Sequence, residues 1–433
     1  MNKKNIILFF SKECPQKMLL IIFLITCCNF CYTQTSNAQV RNSIYSMFGV
    51  GQLNDNNYGI NKSLGGTGIA FQSGRSINNV NPASYLGFRD SYVMEVGVAG
   101  IYYKSENNYA SQTGGDVTLS YFSASLYFTN WWASSFGFVP FSSVDYEINS
   151  SDEVGGELTT FDKTYKGSGG LNRIYLGSSF KIFDGLSLGF NTSYIAGTIS
   201  QTETAESNGS FAGYELKSER SAHSLYFDYG LQYSTGEDKQ NKAGQDWVYT
   251  FGLIYGAGKK LNTKDDLWFT YNGTATSLDT KDQPSIKIPQ KFGIGIAVNK
   301  GNNFRAGFDY EWSEWSKINF SNPKLDTKDN SRISVGVEYL PAQGRNDSWY
   351  EKIYYRLGAN YKSSYLQIDN TPINSKGISF GVGVPYDYTS TINLSVEYGM
   401  EGTTNKGLIK NSYWQFYLSL TLPELWSSRS RFD

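Results

Sequence analysis

The sequence predicts an all-β fold, a 14-stranded antiparallel transmembrane β-barrel with an N-terminal hatch plugging its lumen. Three observations carry this expectation. Apolar and polar residues alternate with a period of two almost to the C-terminus: Trp414, Phe416, Leu418, Leu420 and Leu422 stand against Gln415, Tyr417, Ser419 and Thr421, and successive strand side chains point to opposite faces. The connections alternate between long and short, the parity of a barrel whose outer loops are long and whose periplasmic turns are tight. The composition, with 33 Tyr, 27 Phe, 9 Trp and 44 Gly but only 18% charged residues in 433, fits neither a disordered chain nor a helical soluble enzyme.

Residues 1–38 read as a signal peptide. Lys3, Lys4, Lys12 and Lys17 precede an apolar run from Met18 through Ile25, and Ser36-Asn37-Ala38 offers small residues for cleavage after Ala38. The run from Met18 to Phe30 is shorter than the roughly 20 residues of a spanning helix. Cys14, Cys27, Cys28 and Cys31 all fall inside this segment, so the mature chain is expected to carry no disulfide and no cysteine metal site. With 38 basic against 39 acidic residues and no basic run, nothing supports a nucleic-acid surface, which needs clustered Lys and Arg.

Residues 39–90 do not alternate and are expected to form the hatch. They contain Gly65, Gly66 and Gly68 in a glycine-rich run, then Asn81, Pro82 and Ala83. Ile69, Phe71, Ile77, Val80, Tyr85 and Leu86 need burial, which favours a place inside the lumen over a loose periplasmic arm. The glycine run lacks the following Gly-Lys-Ser/Thr of a phosphate loop.

The barrel is expected over 91–422, with a periplasmic tail at 423–433. Its strands are read at 91–104, 116–129, 132–150, 157–183, 185–204, 212–234, 246–277, 286–299, 303–318, 330–341, 351–366, 376–385, 388–400 and 410–422. Most exceed the 9 to 11 residues a tilted strand needs to cross a bilayer. Phe304, Ala306, Phe308, Tyr310 and Trp312 share one face of their strand and Arg305, Asp309 and Glu311 the other. A basic residue facing lipid at the midplane costs about 2–4 kcal/mol, so these charges should line the lumen, as should Glu338, Arg356 and Glu397 in the same phase. They serve either as a solvated, mutually paired wall or as part of a ligand path. In the third strand, Phe138, Pro140 and Phe141 mark a kink, because proline cannot donate to a sheet ladder and belongs at a bulge or gap.

The glycine-rich stretch followed by Asn81-Pro82-Ala83, directly upstream of the barrel, resembles the hatch of the FadL/TodX/OmpP1 family of outer-membrane hydrophobic-compound transporters. Ile288-Pro289 and Asp309-Tyr310 with Trp312 and Trp315 resemble that family's mid-barrel pattern. Ile44 through Gly51 and Trp426 through Asp433 resemble its Bacteroidetes-type variant. The resemblance implies passive passage of long-chain fatty acids or other hydrophobic compounds. They would be captured at the outer loops, shift the hatch, and leave sideways into the outer-membrane lipid through a kink in the third strand, where Pro140 lies. It implies a hydrophobic small molecule as partner, with no cofactor and no metal; no protein partner is named by the sequence. The alternative is a non-transporting accessory or structural barrel of an outer-membrane secretion or assembly complex. A general porin is disfavoured by the hatch. An enzyme is disfavoured because His223 is the one histidine, and Ser221 is the one hydroxyl two residues from it on its own face.

Overall fold

The computed structural model describes residues 43–55, 57–87, 92–153, 160–207, 213–236, 247–279, 286–318, 325–342, 347–386 and 390–424. The residues read as a signal peptide, and the tail from 425, lie outside these.

Fourteen strands close into one antiparallel barrel: β1 (Tyr92–Glu106), β2 (Ser111–Thr129), β3 (Trp132–Ser143), β4 (Thr160–Phe183), β5 (Leu186–Ser207), β6 (Tyr214–Ser234), β7 (Trp247–Gly256), β8 (Lys291–Lys300), β9 (Phe304–Ser313), β10 (Asn330–Tyr339), β11 (Tyr354–Lys362), β12 (Ser375–Pro385), β13 (Thr391–Gly402) and β14 (Lys410–Glu424). Each pairs with its sequence neighbour, and β1 pairs with β14 from Tyr92↔Glu424 to Glu106↔Lys410. No open sheet edge is left at that closure, which is what a hydrocarbon core requires of backbone polar groups.

The alternation read from the sequence sets the two faces. Along β12, Ile378 is 63% exposed, Ser379 0% and Phe380 52%. The same phase turns Leu253, Ile294, Ile296, Val335, Leu357, Leu394, Phe416 and Leu418 outward into an apolar girdle. Ser123, Arg173, Asn191, Asp309, Ser334, Arg356 and Thr421 lie buried on the inner face. Among the described residues no helix is long and apolar enough to cross a membrane; the chain crosses with strands, as an outer-membrane β-barrel. The short turns, such as Asp184-Gly185 with Gly185 at φ 86° and residues 301–303, mark the periplasmic end by the usual asymmetry.

Four readings change. The strand expected at 132–150 breaks after Ser143: Phe141 is bulged out of register against β4, and a separate strand, Tyr146–Glu153, continues along β4. The strand expected at 246–277 stops at Gly256, where β8 ends its pairing. Residues Asn262–Tyr271 then change partner and continue the outer half of β6, from Asn262↔His223 to Tyr271↔Tyr214. The long outer loop expected at 105–115 is a four-residue turn, 107–110, because β1 and β2 run on beyond it. The last strand runs past Leu422 to Glu424.

The girdle makes a quantitative demand. Ile296→Arg, outward in the middle of β8, is expected to destabilise the barrel by about 2–4 kcal/mol, while Asp369→Arg in an outer loop leaves it unchanged; urea titration of folding into liposomes measures both.

Candidate functional site

The N-terminal segment touches β1 to β7 and β9 to β12, a set it can reach only from inside the barrel. Its outer part begins with Ser43, which caps a short 3-10 turn, Ile44–Met47, by accepting from the Tyr45 amide. Tyr45 and Val50 pack with Leu171, Ile195, Trp315 and Tyr365 in a buried apolar cluster, where the Trp315 and Tyr365 rings stack at 4.1 Å. Gln52–Leu53 then adds as a two-residue strand to Ser142–Ser143 at the end of β3, and the Asn54 amide donates to the Phe141 carbonyl (3.0 Å).

The next residues are held by charge and by backbone hydrogen bonds. Asp55 lies 3.4 Å from Arg332 and 3.6 Å from Lys362. Burial alone would raise its carboxyl, but Arg332, Lys362 and Lys62 outweigh that and hold it well below the usual carboxylate range. The Gly59 amide donates to the Tyr121 hydroxyl, and the Tyr58 ring stacks on Tyr121 at 4.1 Å. Gly65 and Gly66 adopt φ 65° and 85°, conformations open to glycine at no steric cost. That turn lets the Gly65 amide donate to Ser379 and its carbonyl accept from Arg332. Successive amides of Gly68 and Ile69 both donate to one Asp309 carboxylate oxygen, at 2.6 and 2.9 Å.

Asn81-Pro82-Ala83 is a structural knot. The Asn81 side-chain amide donates to Ile69 within the segment and to the Leu231 and Leu253 carbonyls of the wall. Its oxygen accepts from the Ala83 amide, capping the 3-10 turn Pro82–Gly87. Proline opens that turn where no N–H is needed. Ala83 in turn accepts from Ser179 of β4.

The wall is shaped to receive this backbone. A Cβ added at Gly189, Gly230, Gly252, Gly336, Gly358 or Gly381 would come closer than 3.0 Å to Pro82, Asn81, Ile69, Leu64, Gly65 or Ser63 respectively. The row is invisible to a hydropathy reading, although its members keep the inward phase.

Of the inner charges read from the sequence, Asp309 and Arg305 hold the segment directly; Arg305 donates to the Gln72 carbonyl and lies 4.7 Å over the Phe71 ring. Glu338 bridges Arg305 (2.9 Å) and Arg356 (2.6 Å), and Glu311 pairs with Lys291 and Arg332. Glu397 stands apart from these pairs. It accepts from Tyr413 and lines a polar cavity of about 180 Å³ with Asp55, Lys62, Arg332, Lys362 and Glu401. Arg332, Asp55, Glu95 and Gln232 were not singled out in the sequence, yet Glu95 accepts from the Ile77 amide and Gln232 donates to Ile69. Arg332 could have been found, since it shares the inward phase of Glu338. His223 and Ser221 both lie exposed on the outside.

Phe138, Pro140 and Phe141 sit where the wall parts. The β2–β3 ladder runs only from Phe122↔Phe138 to Thr129↔Trp132. Beyond it Ser120 is bulged out of the β1–β2 register and Phe141 out of the β3–β4 register. Pro140 keeps its place opposite Asn172 on the β4 side. Gln52–Leu53 takes the edge of β3 that β2 leaves, at Ser142–Ser143.

Together these features define a plugged outer-membrane β-barrel of FadL/TodX architecture. The BamG family model matches residues 16–433, and the chain belongs to the BamG family. No curated protein matches it in sequence. Among solved structures it is similar to the toluene transporter TbuX of Ralstonia pickettii (14% identity, 86% of this chain and 99% of that one, TM-score 0.59). It is also similar to a FadL homologue of Pseudomonas aeruginosa (12%, 87% and 100%, 0.60) and to the toluene transporter TodX of Pseudomonas putida (15%, 86% and 98%, 0.57). At these identities the likeness is one of fold.

Two outcomes test the site. Glu338→Gln leaves the buried Arg356 and the largely buried Arg305 without their carboxylate and is expected to cost about 3–5 kcal/mol, read by urea titration. Asp55→Asn is expected to speed amide exchange over residues 52–58 at pH 7. In the parent, a carboxyl depressed on folding contributes above its unfolded value, near 4, and loses that contribution only as pH falls through the folded value. Exchange in the parent should therefore be the same at pH 5 as at pH 7, after correction for intrinsic rates.

Proposed function

We propose that this barrel passes a hydrophobic compound across the outer membrane and releases it sideways through the seam between β2 and β3. The observation that carries the reading is the coincidence of that seam with the N-terminal segment: the ladder ends at Phe138, and residues 52–54 attach just above it. A compound entering from outside meets the apolar cluster around Tyr45 and Trp315, where burial contributes about 25 cal/mol per Å². Displacing residues 51–55 then exposes the seam, and Phe138, Pro140 and Phe141 form its edge. In this role the segment 39–90 is a hatch, with the turn at Gly65, Gly66 and Gly68 and the Asn81-Pro82-Ala83 element as its fixed anchors on the wall. The toluene transporters and the FadL homologue named above support a hydrophobic small molecule as cargo. A long-chain fatty acid is the specific cargo we favour, with the surrounding membrane lipid as its destination, and residues 44–51 favour the Bacteroidetes-type variant.

A second reading has its own observation. The hatch backbone lies directly on wall glycines, which suits a sealed barrel kept as an accessory or structural subunit of an outer-membrane assembly. A Leu53→Cys, Ser142→Cys pair, at facing positions, separates the two. Under transport, oxidation abolishes uptake of labelled oleate and toluene by cells carrying the barrel, and reductant restores it. Uptake at background in the parent and in both redox states, with a stoichiometric protein co-purifying with the barrel, would instead establish the accessory role.

A further inference from the structure

The sheet does not end at the membrane. On the outer side β6 is continued by Asn262–Tyr271, and that strand pairs in turn with Thr274–Leu278. The turn between them is Asn272-Gly273, with φ 48° and 74°, the geometry that suits a two-residue hairpin of type I′. In such a hairpin the residues flanking the turn exchange both backbone hydrogen bonds, and the pairs then alternate. Tyr271↔Thr274 and Phe269↔Thr276 are thus hydrogen-bonded pairs. Ala275 and Ser277 aim their N–H and C=O groups away from the hairpin, along its outer edge.

That edge is exposed over all five residues, Thr274 to Leu278, and among the described residues no other strand pairs with it. Soluble and surface proteins protect such edges with charge, proline or a bulge. Here the five residues are Thr-Ala-Thr-Ser-Leu, uncharged, without proline and extended in register with their partner. Tyr271 and Leu278, 47% and 41% exposed, stand at the two ends as apolar anchors.

We propose that Thr274–Leu278 is a docking edge for an extended segment of another protein at the cell surface, which adds to the sheet as a further antiparallel strand. Backbone hydrogen bonds from Ala275 and Ser277 give the attachment, and contacts with Tyr271 and Leu278 set its ends, the usual division between affinity and specificity in strand addition. The incoming segment is uncharged over about five residues, because it must lie against an uncharged edge, and carries apolar residues at both ends. A second copy of this chain does not fit. The bilayer fixes both copies in one orientation, and strands tilted by about 35–45° that are related by a two-fold along the membrane normal cross steeply and do not run antiparallel.

The test is a crosslinking scan in cells with the full-length barrel, placing the photoreactive residue p-benzoylphenylalanine at 274, 275, 276, 277 and 278 in turn. Strand addition predicts crosslinks that step one residue at a time along a single partner segment, in the opposite chain direction. Ser277→Pro removes an outward N–H while leaving the hairpin's own ladder in place, and is expected to reduce the crosslink at least tenfold; Ser277→Thr retains it. Both variants should keep the heat-modifiable gel mobility of a folded barrel. Crosslinks to lipopolysaccharide alone, to a second copy of the barrel, to one fixed partner residue from every position, or to nothing would each overturn the proposal, as would an undiminished crosslink in Ser277→Pro.

Discussion

The architecture depends on one steric constraint: the N-terminal segment lies directly against backbone of the barrel wall, with no wall side chain between them. Glycines make this possible, and they are adjacent in space. Gly189 pairs with Gly230, Gly252 with Gly295, and Gly307 with Gly336, which pairs with Gly358. Each glycine weakens its own strand by roughly 0.5–1 kcal/mol. A run of them across neighbouring strands is tolerated because each removed side chain makes room for an atom of residues 63–82. The wall thus carries a smooth track, and the segment's path through the lumen follows it.

Contact at that distance creates a second requirement. Irregular backbone inside a barrel brings N–H and C=O groups that need partners away from water. The inner charges and amides supply them: Asp309 accepts from two amides, Arg332 and Gln232 donate to carbonyls, and Asn81 donates to wall and segment together. Buried ion pairs such as Glu338 with Arg305 and Arg356 repay little of their own desolvation. Their effect here is positional, since they fix the side chains that in turn hold the segment.

The fold was legible because each strand has one lipid face, and lipid tolerates no error of phase: Ile378 and Ser379 could not be exchanged without exposing a hydroxyl to hydrocarbon. Interior partners were less legible. Parity told that Arg305 and Glu338 face inward, but the same parity applies to every polar residue on an inner face, so it could not rank Arg332 above Glu397. The breaks after Ser143 and Gly256 were missed for different reasons. Alternation continues through the first, where Val144, Tyr146 and Ile148 stand against Asp145, Glu147 and Asn149 along the same partner β4. At the second, residues 257–266 interrupt the alternation, and what hydropathy cannot show is that Asn262–Tyr271 returns to a different partner, β6. The glycine track was missed because glycine has no hydropathy to alternate.

How far such a segment can move is decided by magnitudes. A drug-sized apolar ligand binds with about 0.3 kcal/mol per heavy atom, so a fatty acid of some twenty heavy atoms has about 6 kcal/mol to spend on rearrangement, and only its differential affinity for the open state counts. Residues 57–87 are held by more than ten hydrogen bonds worth about 1 kcal/mol each, besides the close packing on glycine. Ejecting them exceeds what any such ligand supplies. Residues 51–55 are different: two ladder pairs, the Asn54 amide on the Phe141 carbonyl, the Gly51 amide on the Phe48 carbonyl, the Tyr365 hydroxyl on the Gly51 carbonyl and two ion pairs at 3.4 and 3.6 Å hold them. Any opening of this barrel by a small apolar molecule is therefore confined to that stretch and to the seam it covers, with the remainder of the segment serving as fixed wall.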